Sequence, residues 1–200
     1  MQPRKVRKSP ITCSAVELVA TRFRQIHLDF HTSELIPDVG AGFDAKVFAR
    51  TLSNAKVNWV TLFAKCHHGM SYYPTRVGAV HPALKIDLLG EQIEACRARD
   101  IVTPACISVR VDERHAHENP EWIVRQKDGK LWKWGETLTA GWYNFCMNSP
   151  HYVDELAAQA VEVLKWYDDE GIFYDMCHNP DPGCRSGDER GRPVPSPRHS

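Results

Sequence analysis

The stretch RQIHLDFHTSE, residues 24–34, spaces His27, Asp29 and His31 two apart within an otherwise apolar run. On a β-strand, side chains two apart share a face. Two imidazoles and a carboxylate would then lie together, with Ile26, Leu28 and Phe30 on the opposite face. Three later apolar runs also end in polar groups. Residues 57–64 lead into Lys65, His67, His68, Tyr72 and Tyr73; residues 101–109 lead into Arg110, Asp112, Glu113 and His115; residues 171–176 carry Tyr174 and Asp175 near their end. A carboxylate at the end of an apolar strand, as Asp175 would be, is placed to act as a nucleophile or a metal ligand. Trp122, Trp132, Trp134 and Trp142 accompany these groups. Polar side chains mixed with aromatic faces suit a sugar, whose hydroxyls take hydrogen bonds and whose C–H faces lie against rings.

The elements that must position these groups are legible as alternating strands and helices. Segments 24–30, 57–64, 101–109 and 171–176 have the β-branched and aromatic content of buried strands. Between them, residues 43–55, 86–100 and 149–170 place apolar residues at helical spacing, the last with Ser149 as N-cap and Pro150 in the first turn. Strands alternating with helices predict βαβ units and a parallel sheet. The four polar clusters would then meet at the C-terminal rim of that sheet, where α/β proteins place their active sites. The Trp-rich insertion at 112–148 contains an Asp128–Gly129 pair that predicts a type I′ hairpin turn. Residues 1–23 read as an N-terminal extension and 24–176 as the folded unit. Residues 177–200, dense in Pro, Gly and charge, read as a disordered tail.

Composition narrows the function further. With Lys+Arg and Asp+Glu both at 25, the formal net charge is zero, which argues against nucleic acid as a partner. No apolar run reaches the ~18 residues of a membrane span, and the basic start of the chain is not followed by an uninterrupted apolar segment of the signal-peptide kind. Seven cysteines without paired metal-binding spacing suggest reduced thiols and a cytoplasmic protein.

The segment NAKVNWVTLFAKCHHGMSYYPT resembles the second-strand region of alpha-L-fucosidases, with Lys65, His67 and His68 in the positions of that family's Lys-His-His signature. IDLLGEQIEACRARDI resembles the helix that follows. DDEGIFYDM resembles the strand whose terminal Asp is the family's nucleophile, which falls on Asp175; the first-strand His falls on His27. The likeness is greater to an uncharacterised, fucosidase-related glycosyl hydrolase group with His-x-Asp-x-His-Thr and Lys-x-x-His-Gly-x-x-Tyr-Tyr-x-Thr strings, and it covers residues 24–176. It implies an α/β fold of the (β/α)₈ TIM-barrel type, of which the first four βα units are present. It also implies a retaining mechanism with Asp175 as nucleophile, a deoxyhexose or hexose substrate, and no cofactor. His27, Asp29, His31, Lys65, His67, His68, Tyr72, Arg110, Trp142 and Tyr174 are the expected carbohydrate-binding residues. A complete barrel takes ~250 residues, so the chain reads as truncated and its activity alone is open. The unpaired sheet edges of a half barrel would favour a homo-oligomer. Two alternatives stand beside this reading: a metal-dependent hydrolase of the amidohydrolase type using His27, Asp29 and His31, and a non-catalytic carbohydrate-binding remnant.

Overall fold

Four strands run parallel and in chain order across the sheet: β1 (Gln25–His27), β2 (Trp59–Lys65), β5 (Ala105–Ser108) and β6 (Ile172–Asp175). The two remaining strands, β3 (Met70–Ser71) and β4 (Ala79–Val80), form a small excursion in which β3 pairs antiparallel with the end of β2. The structure, a computed structural model, describes residues 15–126, 128–134, 142–168 and 170–177. The expected tail is described only at Cys177, which is exposed, and the remainder of 177–200 lies outside the described residues. Of the N-terminal extension, a short helix α1 (Ala15–Thr21) is described, and Arg22 just after it pairs with Asp100 at 2.8 Å. Among the described residues no helix is long and apolar enough to cross a membrane.

Each parallel crossover carries the helix expected of it. Helix α2 (Ala45–Asn54) joins β1 to β2, α3 (Leu88–Arg97) precedes β5, and α5 (Pro150–Tyr167) precedes β6. Two of these helices begin where an Asp can cap them: Asp44 accepts from the Val47 N–H and Asp87 from the Gly90 N–H, both at 2.9 Å. Ser149 occupies the N-cap position of α5 but makes no side-chain cap, and Pro150 starts the helix. The helices cover one face of the sheet, where Val60, Leu62, Ala64, Ala105 and Ile107 meet Leu52, Leu89, Ile93, Leu156, Ala160 and Val163 in a single buried cluster. Burial of this apolar surface is the main source of stability.

The long insertion folds back on this framework. Helix α4 (Glu113–Glu118) and a 3₁₀ turn (Pro120–Trp122) lead to antiparallel contacts, Ile123 with Phe145 and Arg125 with Leu131, that bring Ile123 and Phe145 into the core. The Asp128–Gly129 turn is not type I′. That turn needs a positive φ at both central residues, whereas of this pair only Gly129 (φ +85°) is left-handed, and the Gln126 N–H reaches Lys130 O at 2.8 Å.

The first strand differs most from expectation. Its ladder covers only Gln25–His27 against Trp59–Thr61, not 24–30. The chain is drawn out of the ladder by Tyr72, whose hydroxyl accepts from the Thr32 N–H at 3.1 Å and donates to Phe30 O at 3.1 Å. Ile26 and Leu28 pack on the core as the alternation required, but Phe30 leaves that face, lies against the Tyr72 ring and is 37% exposed.

Candidate active site

Asp175 ends β6 in register with Ser108 on β5, so both side chains project from the sheet face opposite the helices. One row further down, Phe63, Cys106 and Phe173 align on the same face. His27 packs its ring against Phe63 (5.4 Å) and Phe173 (5.0 Å). This apolar row is a floor, and the polar groups stand on its C-terminal side.

The loop after β2 brings the histidines in. It turns tightly at residues 66–69, the Gly69 N–H donating to Cys66 O at 3.0 Å. The carbonyls of His67 and His68 accept the first free N–H groups of α4, from Glu113 (2.9 Å) and Arg114 (3.3 Å). Gly69 has φ +80°, and a Cβ there would stand 2.3 Å from Asp112 Oδ1 and 2.9 Å from Arg114 Cβ. The Gly of the His-His-Gly string is therefore a packing requirement. Gly69→Ala is expected to cost about 1–3 kcal/mol through the strained φ, with the steric displacement adding to it, and urea denaturation measures the loss. A midpoint equal to wild type would mean that the loop can leave α4 freely.

The result is a convergence of His31 and His67, from the segments that follow β1 and β2, with Asp175 at the end of β6, each offering one ligand-type atom within 4.8 Å of the others. The His31 and His67 rings stack at 3.8 Å between centroids. His67 Nε2 lies 3.8 Å from Asp175 Oδ2, with the histidine side chain 5% and the carboxylate 23% exposed. His31 Nδ1 accepts from the His67 backbone N–H at 3.1 Å, and His31 Nε2 is 2.7 Å from Asp29 Oδ1. Trp142, held in the left-handed region with its N–H on Glu113 Oε2 (3.1 Å), sets its ring against His67 at 5.1 Å and His31 at 5.9 Å. Beside His27 and Asp29 opens a pocket of about 410 Å³ lined mainly by Leu28, Phe30, Phe43, Phe48, Phe63 and Leu88.

Burial dominates the electrostatics. It pushes His67 down to about 3, helped by the charges of His31, Lys65 and His68. Burial also lowers His31, against the opposing pull of Asp29 and Asp175, and lowers His68. These imidazoles are neutral at pH 7 and act as hydrogen-bonding groups rather than cations. A stability consequence follows. Unfolded, His67 binds a proton near its ordinary 6.5, while the folded protein refuses it until about 3. The contribution is fully present above 6.5 and is lost as pH falls toward 3. His67→Gln should therefore flatten the decline in urea midpoint between about pH 7 and pH 5. An undiminished decline would place the titration elsewhere.

The other expected residues take different places. Lys65 is buried, with Nζ 2.6 Å from Asp112 Oδ2 and 3.2 Å from Ser108 O. The strand shifts register between Phe63 and Lys65, a bulge that re-aims this side chain. Burial alone would raise the Asp112 carboxyl, but Lys65 and His115 hold it below the usual carboxylate range, and it also caps α4 through the His115 N–H. Glu113, half-buried, is raised by burial. Tyr72 is fully buried and braces residues 30–32; Arg110 is buried with Nε on Asn144 Oδ1 (3.1 Å). Tyr174 lies half-exposed on the face of β6 opposite Asp175. Tyr73 is likewise interior, its hydroxyl on Glu162. Ser108 escaped sequence reasoning; its only signal was its place at the end of the third strand.

The metal alternative is not favoured by this arrangement. His27, Asp29 and His31 do not form a common ligand set: His27 is engaged by Phe63 and Phe173, and both nitrogens of His31 are committed. In His31, an Nδ1 that accepts a hydrogen bond leaves the proton on Nε2, directed at Asp29.

A family model described as "Hypothetical glycosyl hydrolase 6" matches residues 44–176. Among solved structures, alpha-L-fucosidase isoenzyme 2 from Paenibacillus thiaminolyticus is 42% identical, with a TM-score of 0.77, over 83% of this chain and 25% of that one. A Thermotoga maritima alpha-fucosidase in complex with fucose is 20% identical, with a TM-score of 0.54, over 72% of this chain and 31% of that one. A hypothetical protein from Ruminiclostridium thermocellum ATCC 27405 is 12% identical, with a TM-score of 0.56, over 80% of this chain and 78% of that one. The last two are likenesses of fold. The chain spans about a quarter to a third of the length of these two fucosidases. A search of curated proteins returned no match.

Proposed function

The chain belongs to the glycosyl hydrolase family described as Hypothetical glycosyl hydrolase 6, and on that premise we propose that it carries the nucleophile-bearing half of a retaining, fucosidase-type site. The observation that carries this reading is the place of Asp175. It is a partly exposed carboxylate at the C-terminal end of a parallel strand, beside two neutral histidines against which the Trp142 ring is set. The 42% identity to a fucosidase over 83% of the chain points to an L-fucoside. Four parallel strands in chain order are what the first half of a (β/α)₈ barrel would supply, and the C-terminal rim of such a barrel is the seat of chemistry.

In this mechanism an Asp175 oxygen attacks the anomeric carbon and the leaving-group oxygen departs with a proton. Water then hydrolyses the glycosyl–aspartate ester, with overall retention. His67 holds a sugar hydroxyl through Nε2, His31, with both nitrogens committed, stacks its ring on His67, and the Trp142 ring takes a C–H face. The departing oxygen needs an acid held toward its protonated form. Asp112 is locked as a buried anion, whereas burial shifts Glu113 in the required direction.

The test is covalent trapping. With 2-deoxy-2-fluoro-L-fucosyl fluoride, Asp175 displaces fluoride, and the slowed second step leaves an adduct that peptide mass mapping assigns. An adduct on Asp175 is expected. Labelling of another carboxylate, binding of fucose with no labelling, or hydrolysis with inversion would overturn the reading; the second of these outcomes would favour a non-catalytic sugar-binding role.

A further inference from the structure

Beneath the stacked histidines, Ser108 connects the site to the chain around it. Its hydroxyl donates to the Val111 carbonyl at 2.9 Å, and its Oγ is also within hydrogen-bonding distance of His67 Nδ1. A serine hydroxyl has one proton and two acceptor lone pairs. With that proton spent on Val111, the His67 contact requires Nδ1 to be the donor. Burial keeps the ring neutral, so it has one N–H to place. Nε2 is then a bare lone pair, and it is the atom that faces Asp175 at 3.8 Å.

The neighbouring histidine is set the opposite way. His31 Nδ1 accepts from the His67 backbone N–H, which leaves its proton on Nε2, toward Asp29. The two stacked rings thus carry opposite tautomers: the His67 backbone N–H dictates that of His31, and the Ser108 hydroxyl, held by the Val111 carbonyl, dictates that of His67. At neutral pH the gap between His67 Nε2 and the Asp175 carboxylate has acceptors on both sides.

We propose that Ser108 is the positioning residue that fixes His67 as an acceptor, so that this site selects a ligand hydroxyl able to donate to Nε2. This rests on the sugar-site reading above for the ligand, but not for the tautomer. The same arrangement keeps His67 from donating to Asp175, so the carboxylate lone pairs stay available for attack. A sugar position bearing fluorine, which accepts weakly and cannot donate, would be rejected where the hydroxyl is taken.

Two measurements on the full chain test it. Long-range proton–nitrogen correlation on histidine-labelled protein, with the His67 signal assigned by His67→Gln, should show Nδ1 protonated in wild type. Ser108→Ala should move His67 to the Nε2–H form or a mixture, and Ser108→Thr, which keeps the hydroxyl, should restore the wild-type signal. An Nε2–H tautomer in wild type overturns the proposal without recourse to any variant. So does a Ser108→Ala spectrum identical to wild type. In the second measurement, L-fucose and its monofluoro analogues are titrated against wild type and Ser108→Ala. One fluoro position should lose roughly fivefold to tenfold in affinity for wild type, the scale of one net hydrogen bond, and Ser108→Ala should erase that discrimination. Equal affinities for every analogue in wild type overturn the selection of a donor. If fucose fails to bind while the tautomer is as stated, the sugar-site reading falls and the positioning role of Ser108 stands.

Discussion

Asp175→Ala is expected to abolish covalent trapping by the fluoro-sugar and to lower any hydrolysis of an aryl L-fucoside by at least about 10³-fold in kcat, the scale seen when a covalent nucleophile is removed. The structure separates this loss from a folding defect. Asp175 is the last residue of β6, its carboxylate is partly exposed, and among the described residues its ion-pair-type contact is with His67 at 3.8 Å, beyond a direct hydrogen bond. The β5–β6 ladder is made by backbone groups and survives the substitution. The urea midpoint should therefore stay close to wild type while labelling disappears. Asp175→Asn keeps the shape and removes the nucleophilic oxygen, so it should fail in the same way. An alanine variant that still hydrolyses the fucoside at the wild-type rate would assign the chemistry to another carboxylate.

Lys65 offers a contrasting result. The sequence places it in a Lys-x-His-His string among groups expected to bind sugar, yet the structure buries it beneath that loop, 2% exposed, against Asp112 at 2.6 Å. Lys65→Ala would leave the Asp112 carboxylate, which is 0% exposed, without its counter-charge. Breaking a buried pair from one side costs about 3–5 kcal/mol, and urea denaturation should show a loss of that size. Desolvation of both charges makes the pair itself a modest net stabiliser, so Lys65→Met combined with Asp112→Leu should recover part of the deficit. Recovery is limited because Asp112 also caps α4, worth about 1 kcal/mol. A Lys65→Ala variant with wild-type stability and a raised KM would instead mean that the ammonium reaches the substrate.

What could be read without coordinates was whatever depends on local pattern. The three crossover helices, the four parallel strands and the terminal position of Asp175 all follow from periodicity and from where apolar runs stop. Four of the five described free cysteines are buried, as their apolar settings implied. The expectations that the structure corrected concern places where a distant group overrides a local preference. Strand β1 is cut short because a tyrosine forty residues on captures Thr32. The Asp128–Gly129 turn takes another geometry within an insertion anchored on Phe145 and Ile123. Tyr72 and Lys65, polar and next to the site in sequence, turn inward because partners wait for them there.

The same division runs through the site. Two-residue spacing put His27, Asp29 and His31 on one face, and that spacing alone suggested a polar strand wall or a metal. Spacing along one strand carries no information about how loops from other strands close over it. Once the loop after β2 is pinned to α4, His31 meets His67 and Asp175 instead, and His27 joins the apolar floor. Protonation state lies further still from the sequence. A histidine's tautomer depends on which atoms surround its two nitrogens, and for His67 these are Ser108 and Asp175, 41 and 108 positions away along the chain. Residue type and period were enough to place a carboxylate at the end of the fourth parallel strand. Only the packed structure, by burying both rings and choosing which groups face their nitrogens, made its neighbours neutral and gave each imidazole a donor side and an acceptor side.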